Sequence, residues 1–354
     1  MALVTSCRTD TVTVKGTIAD GEIFPAGWLV YLCDGKTVLD SSAVVNGRFE
    51  LKAPANLQKG YGIVADFRNR PSDYRDWRMG VLAEKGIVKI TFASKRNDCA
   101  IKEGPLNMEY DDVEDRINAI FIETQQKASL LADADEEERM ALYNDVIGRL
   151  KSICLPVIEK NNDNLIGLSV LDHIIYYLSL EEIDSILCQC GSFIIDNEDI
   201  VEERDFKVAE KETAEGNPFV DFSGKTPEGN DIKLSDYVGK GRWVLADFWA
   251  SWCGPCKREL PNIKRTHKSL SGDKFTVLGI AVWDGDNTES LECMKENEMT
   301  WPQIFVGEDE TPTKAYGISS IPTLILFAPD GSIYKRDGLR GEKMMETIRN
   351  IIYQ

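Results

Sequence analysis

The run from Val244 to Pro261, VLADFWASWCGPCKRELP, constrains this chain more than any other stretch. An apolar, β-prone segment breaks at two cysteines separated by Gly254-Pro255, and a charged helical pattern follows. That order places Cys253 and Cys256 where a strand hands over to a helix. At a helix N-terminus the first backbone N–H groups lack intrahelical partners and the macrodipole is positive, so a thiolate is favoured there over a thiol. Cysteines so placed have pKa values lowered from about 8.5 to roughly 3.5–7.5. Cys256 follows one helical turn later on the same face, near enough to close a disulfide and shielded by the helix. Cys253 therefore reads as the attacking thiol and Cys256 as the resolving one.

The chain is 354 residues long, which suggests two or three domains. No run approaches the ~20 apolar residues that a membrane span needs. The net charge of −18 is concentrated in the middle. Residues 1–104 carry 15 basic and 12 acidic side chains, residues 105–211 carry 9 and 25, and residues 212–354 carry 17 and 22. An acidic middle of this kind reads as a solvated helical face and disfavours both a nucleic-acid groove and an anionic membrane surface as partners. Nine cysteines in a chain this long do not make a disulfide-stapled miniprotein. With only His173 and His267 present, a histidine metal site is not expected, and Cys188 and Cys190 have the wrong spacing for zinc.

Three segments differ in hydrophobic period. Residues 1–104 contain short β-branched and aromatic runs separated by Asp20-Gly21, Asp34-Gly35, Asn46-Gly47 and Lys59-Gly60, predicting a small antiparallel β sandwich or barrel. Tyr74 and Trp77 among Arg70, Arg75 and Arg78 read better as a solvated loop than as a binding patch. Whether Cys33 and Cys99 pair is left open by their spacing. Residues 105–211 switch to helical period, with a break at Asn161-Asn162-Asp163-Asn164 and a capping box at Ser179 to Glu182, and read as an all-helical spacer. Cys188 and Cys190 are placed in the last turn of that final helix, where side chains two apart diverge and a disulfide would need the helix undone. The charged stretch from Glu202 to Asn217 reads as a linker. From residue 212 onward strands and helices alternate and end in a hairpin and a helix, which predicts an α/β domain with a mixed sheet.

At this point the chain resembles the TlpA/ResA-like thiol-disulfide oxidoreductases of the thioredoxin superfamily. The resemblance rests on Gly216-Asn217-Pro218-Phe219, on Leu234-Ser235-Asp236-Tyr237, on the run Asp247 to Cys256, and on Tyr316-Gly317-Ile318-Ser319-Ser320-Ile321-Pro322-Thr323. It covers residues 212–354 and implies a thioredoxin-like fold there. It further implies that Ile321-Pro322 is a cis-proline segment facing the cysteines and docking substrate, together with Trp252, Gly254 and Pro255. Asp247 matches thioredoxin's buried carboxylate, a proton acceptor for Cys256, at a position where TlpA-like sequences often lack an acid. More weakly, the front of the chain resembles the β domain of unknown function in envelope lipoproteins of Gram-negative anaerobes. Leu3-Val4-Thr5-Ser6-Cys7 is similar to a lipobox and makes Cys7 a lipidation candidate, although the charged and apolar signal regions are missing before it.

The resulting expectation is an extracytoplasmic, lipid-anchored enzyme of the periplasm or cell envelope. It would reduce disulfides of protein partners through Cys253 and Cys256, with Asp247 assisting and no cofactor beyond that redox disulfide. The resemblance implies electrons from a membrane donor such as a DsbD-like protein. Two alternatives stand beside it: a surface binding or scaffold lipoprotein with an auxiliary redox domain, and a thiol peroxidase.

Overall fold

The computed structural model describes residues 10–65, 78–95, 98–130, 136–285, 287–336 and 338–353. Cys7, Arg70, Tyr74, Arg75 and Trp77 lie outside the described residues. The chain divides into two compact units, Met1–Ile200 and Val201–Gln354.

The first unit opens with β1 (Thr11–Ile18), β2 (Leu29–Asp34), β3 (Thr37–Ala43), β4 (Arg48–Pro54), β5 (Asn56–Ala65), β6 (Arg78–Ala83), β7 (Gly86–Phe92) and β8 (Ala100–Glu103). They form two four-stranded sheets of order β4-β1-β7-β8 and β3-β2-β5-β6. Alternate residues such as Val12, Val14, Phe49, Leu51, Val88 and Ile90 from one sheet share an apolar core with Val30, Leu32, Tyr61, Ile63 and Val81 from the other. Asn46-Gly47 turns β3 into β4 with both residues at positive φ, as the hairpin signal requires. The expected all-antiparallel arrangement fails at one pair: β1 and β7 run parallel, Val12 opposite Gly86 through Ile18 opposite Phe92. The chain crosses to the other sheet and back between them, a non-local pairing that no turn signal announces.

Five helices follow: α1 (Pro105–Leu130), α2 (Glu136–Lys160), α3 (Leu165–Ile174), α4 (Leu180–Leu187) and α5 (Ser192–Ile195). The buried Glu84 carboxylate accepts the Leu106 and Asn107 N–H groups at 3.1 and 3.0 Å, satisfying orphan donors at the start of α1. Asn164 caps α3, and the Ser179–Glu182 capping box opens α4 as expected. Helix α4 ends at Leu187, earlier than the sequence suggests, so Cys188 and Cys190 sit in the turn beyond it.

The expected linker is helical. Helix α6 (Glu198–Glu212) carries its charges outward, while Ile200 and Ala209 are buried. Lys314 pairs with Glu202 at 3.0 Å. Gly317, at φ +57°, lies so close to the helix that a Cβ would fall 2.6 Å from the Phe206 carbonyl oxygen. Beyond the helix, Arg336 donates to the Thr213 hydroxyl at 2.7 Å, to the Thr213 carbonyl at 3.0 Å and to the Tyr316 carbonyl at 2.6 Å. One guanidinium thus satisfies acceptors at the exit of α6 that would otherwise be buried without donors. Arg336→Met is expected to lower the stability of this unit by about 2 kcal/mol, measured as a denaturant midpoint.

The rest of the second unit comprises β9 (Ser223–Lys225), β10 (Asp231–Lys233), β11 (Trp243–Trp249), α7 (Gly254–Leu270), β12 (Phe275–Val282), α8 (Asn287–Glu296), β13 (Gln303–Gly307), α9 (Thr311–Ala315), β14 (Thr323–Phe327), β15 (Ile333–Lys335) and α10 (Met344–Ile352). The seven strands form one mixed sheet, β10-β9-β13-β12-β11-β14-β15, with β11, β12 and β13 parallel and β14 antiparallel to β11. Both faces of the central strand are buried. Leu245 and Trp249 pack with Leu260 and Ile263 of α7 and Ile348 of α10, while Val244, Ala246 and Phe248 pack with Tyr316 and Phe327 on the other face. The alternation puts Asp247 on the α7 side, beneath the start of that helix.

Candidate functional site

Strand β11 ends at Trp249, three residues turn the chain, and Cys253 becomes the N-cap of α7. The backbone of Cys253 is extended there, and its sulfur lies 3.1 Å from the Cys256 N–H, in the place of a capping acceptor. Gly254 and Pro255 fill the first turn, where the missing proline N–H leaves no bond unmade. Cys253 and Cys256 are joined as a disulfide with Cα atoms 5.3 Å apart, and their residues are only 2% and 3% exposed. The strand-to-helix handover read from the motif is therefore present, with the pair at the head of α7.

The turn before Cys253 is held from below. The buried Asp284 carboxylate accepts the Ser251 N–H at 3.0 Å and the Ser251 hydroxyl at 2.8 Å, and it also accepts the Ser290 hydroxyl from α8. Trp252, at 61% exposure, stands on the rim beside the cysteines, and its indole N–H donates to the Trp283 carbonyl at 3.2 Å. Trp283 itself adopts φ +58°, an uncommon conformation for a bulky residue, next to the anchoring Asp284. Gln303 accepts the Trp249 indole N–H at 3.0 Å, in space that Gly279 leaves open: a Cβ there would fall 1.9 Å from the Gln303 oxygen.

The Ile321–Pro322 bond is cis, and the Ile321 carbonyl oxygen lies 3.8 Å from Cys253 Sγ. Arg340 donates to the Pro322 carbonyl. On the inner side, Asp247 is 1% exposed, and neither of its carboxyl oxygens has a hydrogen-bond partner. Burial pushes its pKa up to about 7; the Glu259 carboxylate adds to the rise and the Arg340 guanidinium opposes it. Glu259, one turn beyond Cys256 on α7, accepts the Gly341 N–H at 2.8 Å. The arrangement provides a sulfur stabilised at the head of α7, a second sulfur bonded to it one turn along, and a carboxyl able to gain or lose a proton near neutrality.

The structure brings together Cys253, Cys256, Trp252, Gly254, Pro255, Ile321 and Pro322, with Asp247 on the strand below. Sequence reasoning missed Glu259, Asp284, Gln303 and Arg340. Glu259 carried a usable signal, since Cys256 and Glu259 are one turn apart on a single helix face. Asp284 and Arg340 lie in loops far along the chain and carried none.

Residues 216–336 match the AhpC/TSA family. The thiol-disulfide oxidoreductase ResA of Bacillus subtilis is 31% identical over 141 residues, spanning 39% of this chain and 76% of that protein. The sporulation thiol-disulfide oxidoreductase A of the same organism is 31% identical over 116 residues, or 32% of this chain and 68% of the relative. Among solved structures, the thioredoxin domain of a thiol-disulfide oxidoreductase from Bacteroides vulgatus is 28% identical, covering 39% of this chain and 98% of that one at a TM-score of 0.37.

Proposed function

The chain belongs to the ResA-type thiol-disulfide oxidoreductases, and from that membership we propose that it reduces disulfides of extracytoplasmic protein partners through Cys253 and Cys256. The observation that carries this reading is the placement of Cys253 as N-cap of α7, its sulfur 3.1 Å from the Cys256 N–H, above the buried Asp247. In the reduced state the helix N-terminus favours the Cys253 thiolate, which attacks one sulfur of a substrate disulfide and forms a mixed disulfide. The other substrate sulfur leaves and takes a proton. The ionised Asp247 then draws the proton from Cys256, which attacks Cys253 Sγ, closes the Cys253–Cys256 disulfide and releases the reduced substrate. Electrons enter and leave through this pair without a further cofactor.

A substrate segment docks along Ile321, Pro322, Trp252 and the Gly254-Pro255 turn, with the Ile321 carbonyl as its main-chain acceptor. The two four-stranded sheets of the first unit read as the layers of a sandwich that, with the helices behind it, selects the partner. Lipidation at Cys7 would hold the enzyme at the periplasmic face of an envelope membrane, within reach of a DsbD-like donor. No helix among the described residues is long and apolar enough to cross a membrane.

The AhpC/TSA match raises a thiol peroxidase as the second reading. Cys256, one turn from Cys253 and already bonded to it, favours dithiol exchange. The full chain, supplied with a dithiol reductant, is expected to precipitate insulin by reducing its interchain disulfides. No acceleration over the reductant alone would remove the proposal, and peroxide consumption that survives Cys256→Ser would favour the peroxidase.

A further inference from the structure

We infer that Cys188 and Cys190 form a second redox-active dithiol, which closes to a disulfide on reaction with a small-molecule disulfide and is reopened by the reduced Cys253–Cys256 site of another copy. The second half of this statement rests on the proposed reductive function.

The sequence alone argued against such a bond, because a helix would have to be undone. The structure removes that obstacle. Helix α4 stops at Leu187, Cys188 is its C-cap, and Gln189 and Cys190 lie in the turn that leads to Gly191 and α5. The last helical bond is Cys188 N–H to Asp184 O at 3.0 Å, and beyond it two turn bonds, Gln189 N–H to Ile186 O at 3.0 Å and Cys190 N–H to Leu187 O at 3.1 Å, hold the segment. Across the turn, the Asn162 amide donates to the Gln189 carbonyl at 2.8 Å, and the Gly191 N–H donates to the Asn162 carbonyl at 2.8 Å. Rotating the Gln189 peptide to bring the two sulfurs together breaks local turn bonds and leaves α4 intact.

The two thiols are unequal in the way an exchange pair requires. Cys188 is exposed, and its thiol donates to the Ser185 carbonyl at 3.0 Å. Cys190 is half-buried and lines a groove of about 350 Å³ with Leu155, Ile158 and Asn162. Burial, reinforced by the neighbouring Cys188, raises the Cys190 pKa; Cys188 is the sulfur that solvent reaches, which makes it the entry sulfur. Both are free thiols in this structure.

The chemistry balances in both directions. On oxidation the Cys188 thiolate attacks a small disulfide and expels one thiolate; Cys190, losing its proton, attacks Cys188 Sγ and expels the second. On reduction the Cys253 thiolate attacks Cys188 Sγ, and Cys190 leaves and takes a proton. Cys256 gives up its proton and attacks Cys253 Sγ, and Cys188 leaves as a thiol. The Cys188–Cys190 disulfide gains two electrons and two protons, and the Cys253–Cys256 dithiol loses them. A disulfide forced into so short a loop is more easily reduced than a relaxed one, which sets this direction.

The test uses the whole 354-residue chain. A Cys253→Ser/Cys256→Ser variant, shown to be folded by circular dichroism, is treated with oxidised glutathione, quenched with a maleimide and digested with trypsin. The peptide from Asn161 to Arg204 contains no other cysteine. Its mass is expected to fall by two hydrogens with complete loss of maleimide uptake. Mixing with the reduced Cys188→Ser/Cys190→Ser chain is then expected to restore both thiols. A single glutathione adduct, two unreacted thiols, or an internal disulfide that the reduced copy leaves closed would each overturn the inference. Insulin reduction by the Cys188→Ser/Cys190→Ser protein, expected at the unmodified rate, tests the proposed function separately: if it proceeds while the peptide stays closed, only the inference fails.

Discussion

Cys253→Ser is expected to abolish insulin reduction, a fall of at least roughly 10³-fold, because it removes the one sulfur that the N-cap position activates. Cys256→Ser is expected to fail differently. Cys253 keeps its helix N-terminus and the residue-256 N–H 3.1 Å from its sulfur, so the first attack proceeds and stops at the mixed disulfide. Turnover disappears in both variants, but only Cys256→Ser accumulates a covalent adduct. Native-state trapping, followed by non-reducing electrophoresis with and without dithiothreitol, reads the difference. Equal trapping by both variants would mean that the attacking and resolving roles are wrongly divided.

Asp247→Asn is expected to trade activity for stability. The ordinary carboxyl value of 3.8 rises to about 7 in the folded chain, chiefly through burial. Between those two values the folded state holds a proton that the unfolded chain has released, so stability falls as pH rises from about 4 to about 7 and is level above. At pH 8 the shift corresponds to a cost of about 4 kcal/mol, set by roughly 1.4 kcal/mol for each unit. An amide of the same shape carries no charge and escapes it. The variant is therefore expected to melt roughly 10 °C higher at pH 8 and nearly unchanged at pH 4. The same substitution removes the proton acceptor for Cys256. Release of product from a preformed mixed disulfide should slow by roughly 10²-fold at pH 7 and lose its rise with pH through about 7. Stabilisation that is the same at pH 4 and pH 8 would show that Asp247 is not titrating in this range.

What the sequence disclosed follows from which contacts are local. The handover from β11 to α7 lies within a single run, and its chemistry needs only the spacing of Cys253 and Cys256 and the helix that starts between them. Asp247 and Pro322 were legible because a family pattern surrounds each. Helix α6 was misread because its composition is that of a solvated linker; its helical state is fixed by Gly317 and Arg336, more than 100 residues later. The parallel pairing of β1 with β7 likewise joins segments about 70 residues apart. Asp284 and Arg340 act on the site through hydrogen bonds and charge from loops, and their spacing along the chain carries no period to read, whereas Glu259 follows Cys256 by one turn of α7 and was legible from that spacing. The turn holding Cys188 and Cys190 depends on Asn162, which caps it across a break that the sequence marked only as a break.

The reductive direction depends on how the reduced pair is stabilised. Cys253 gains a helix N-terminus and one N–H donor, while Cys256 lies inside the first turn with the Glu259 carboxyl one turn on and the buried Asp247 on the strand below, so a second thiolate would add charge near two carboxyls. A pair whose dithiolate is disfavoured holds its disulfide tightly and gives electrons away readily, the reverse of a strong oxidant whose reduced form is stabilised. The Cys253–Cys256 reduction potential of the whole chain, from equilibration with dithiol buffers, tests this directly. A value below about −230 mV, approaching that of thioredoxin, is expected for a reductase. A value at or above about −180 mV, in the range of disulfide isomerases and oxidants, would contradict it.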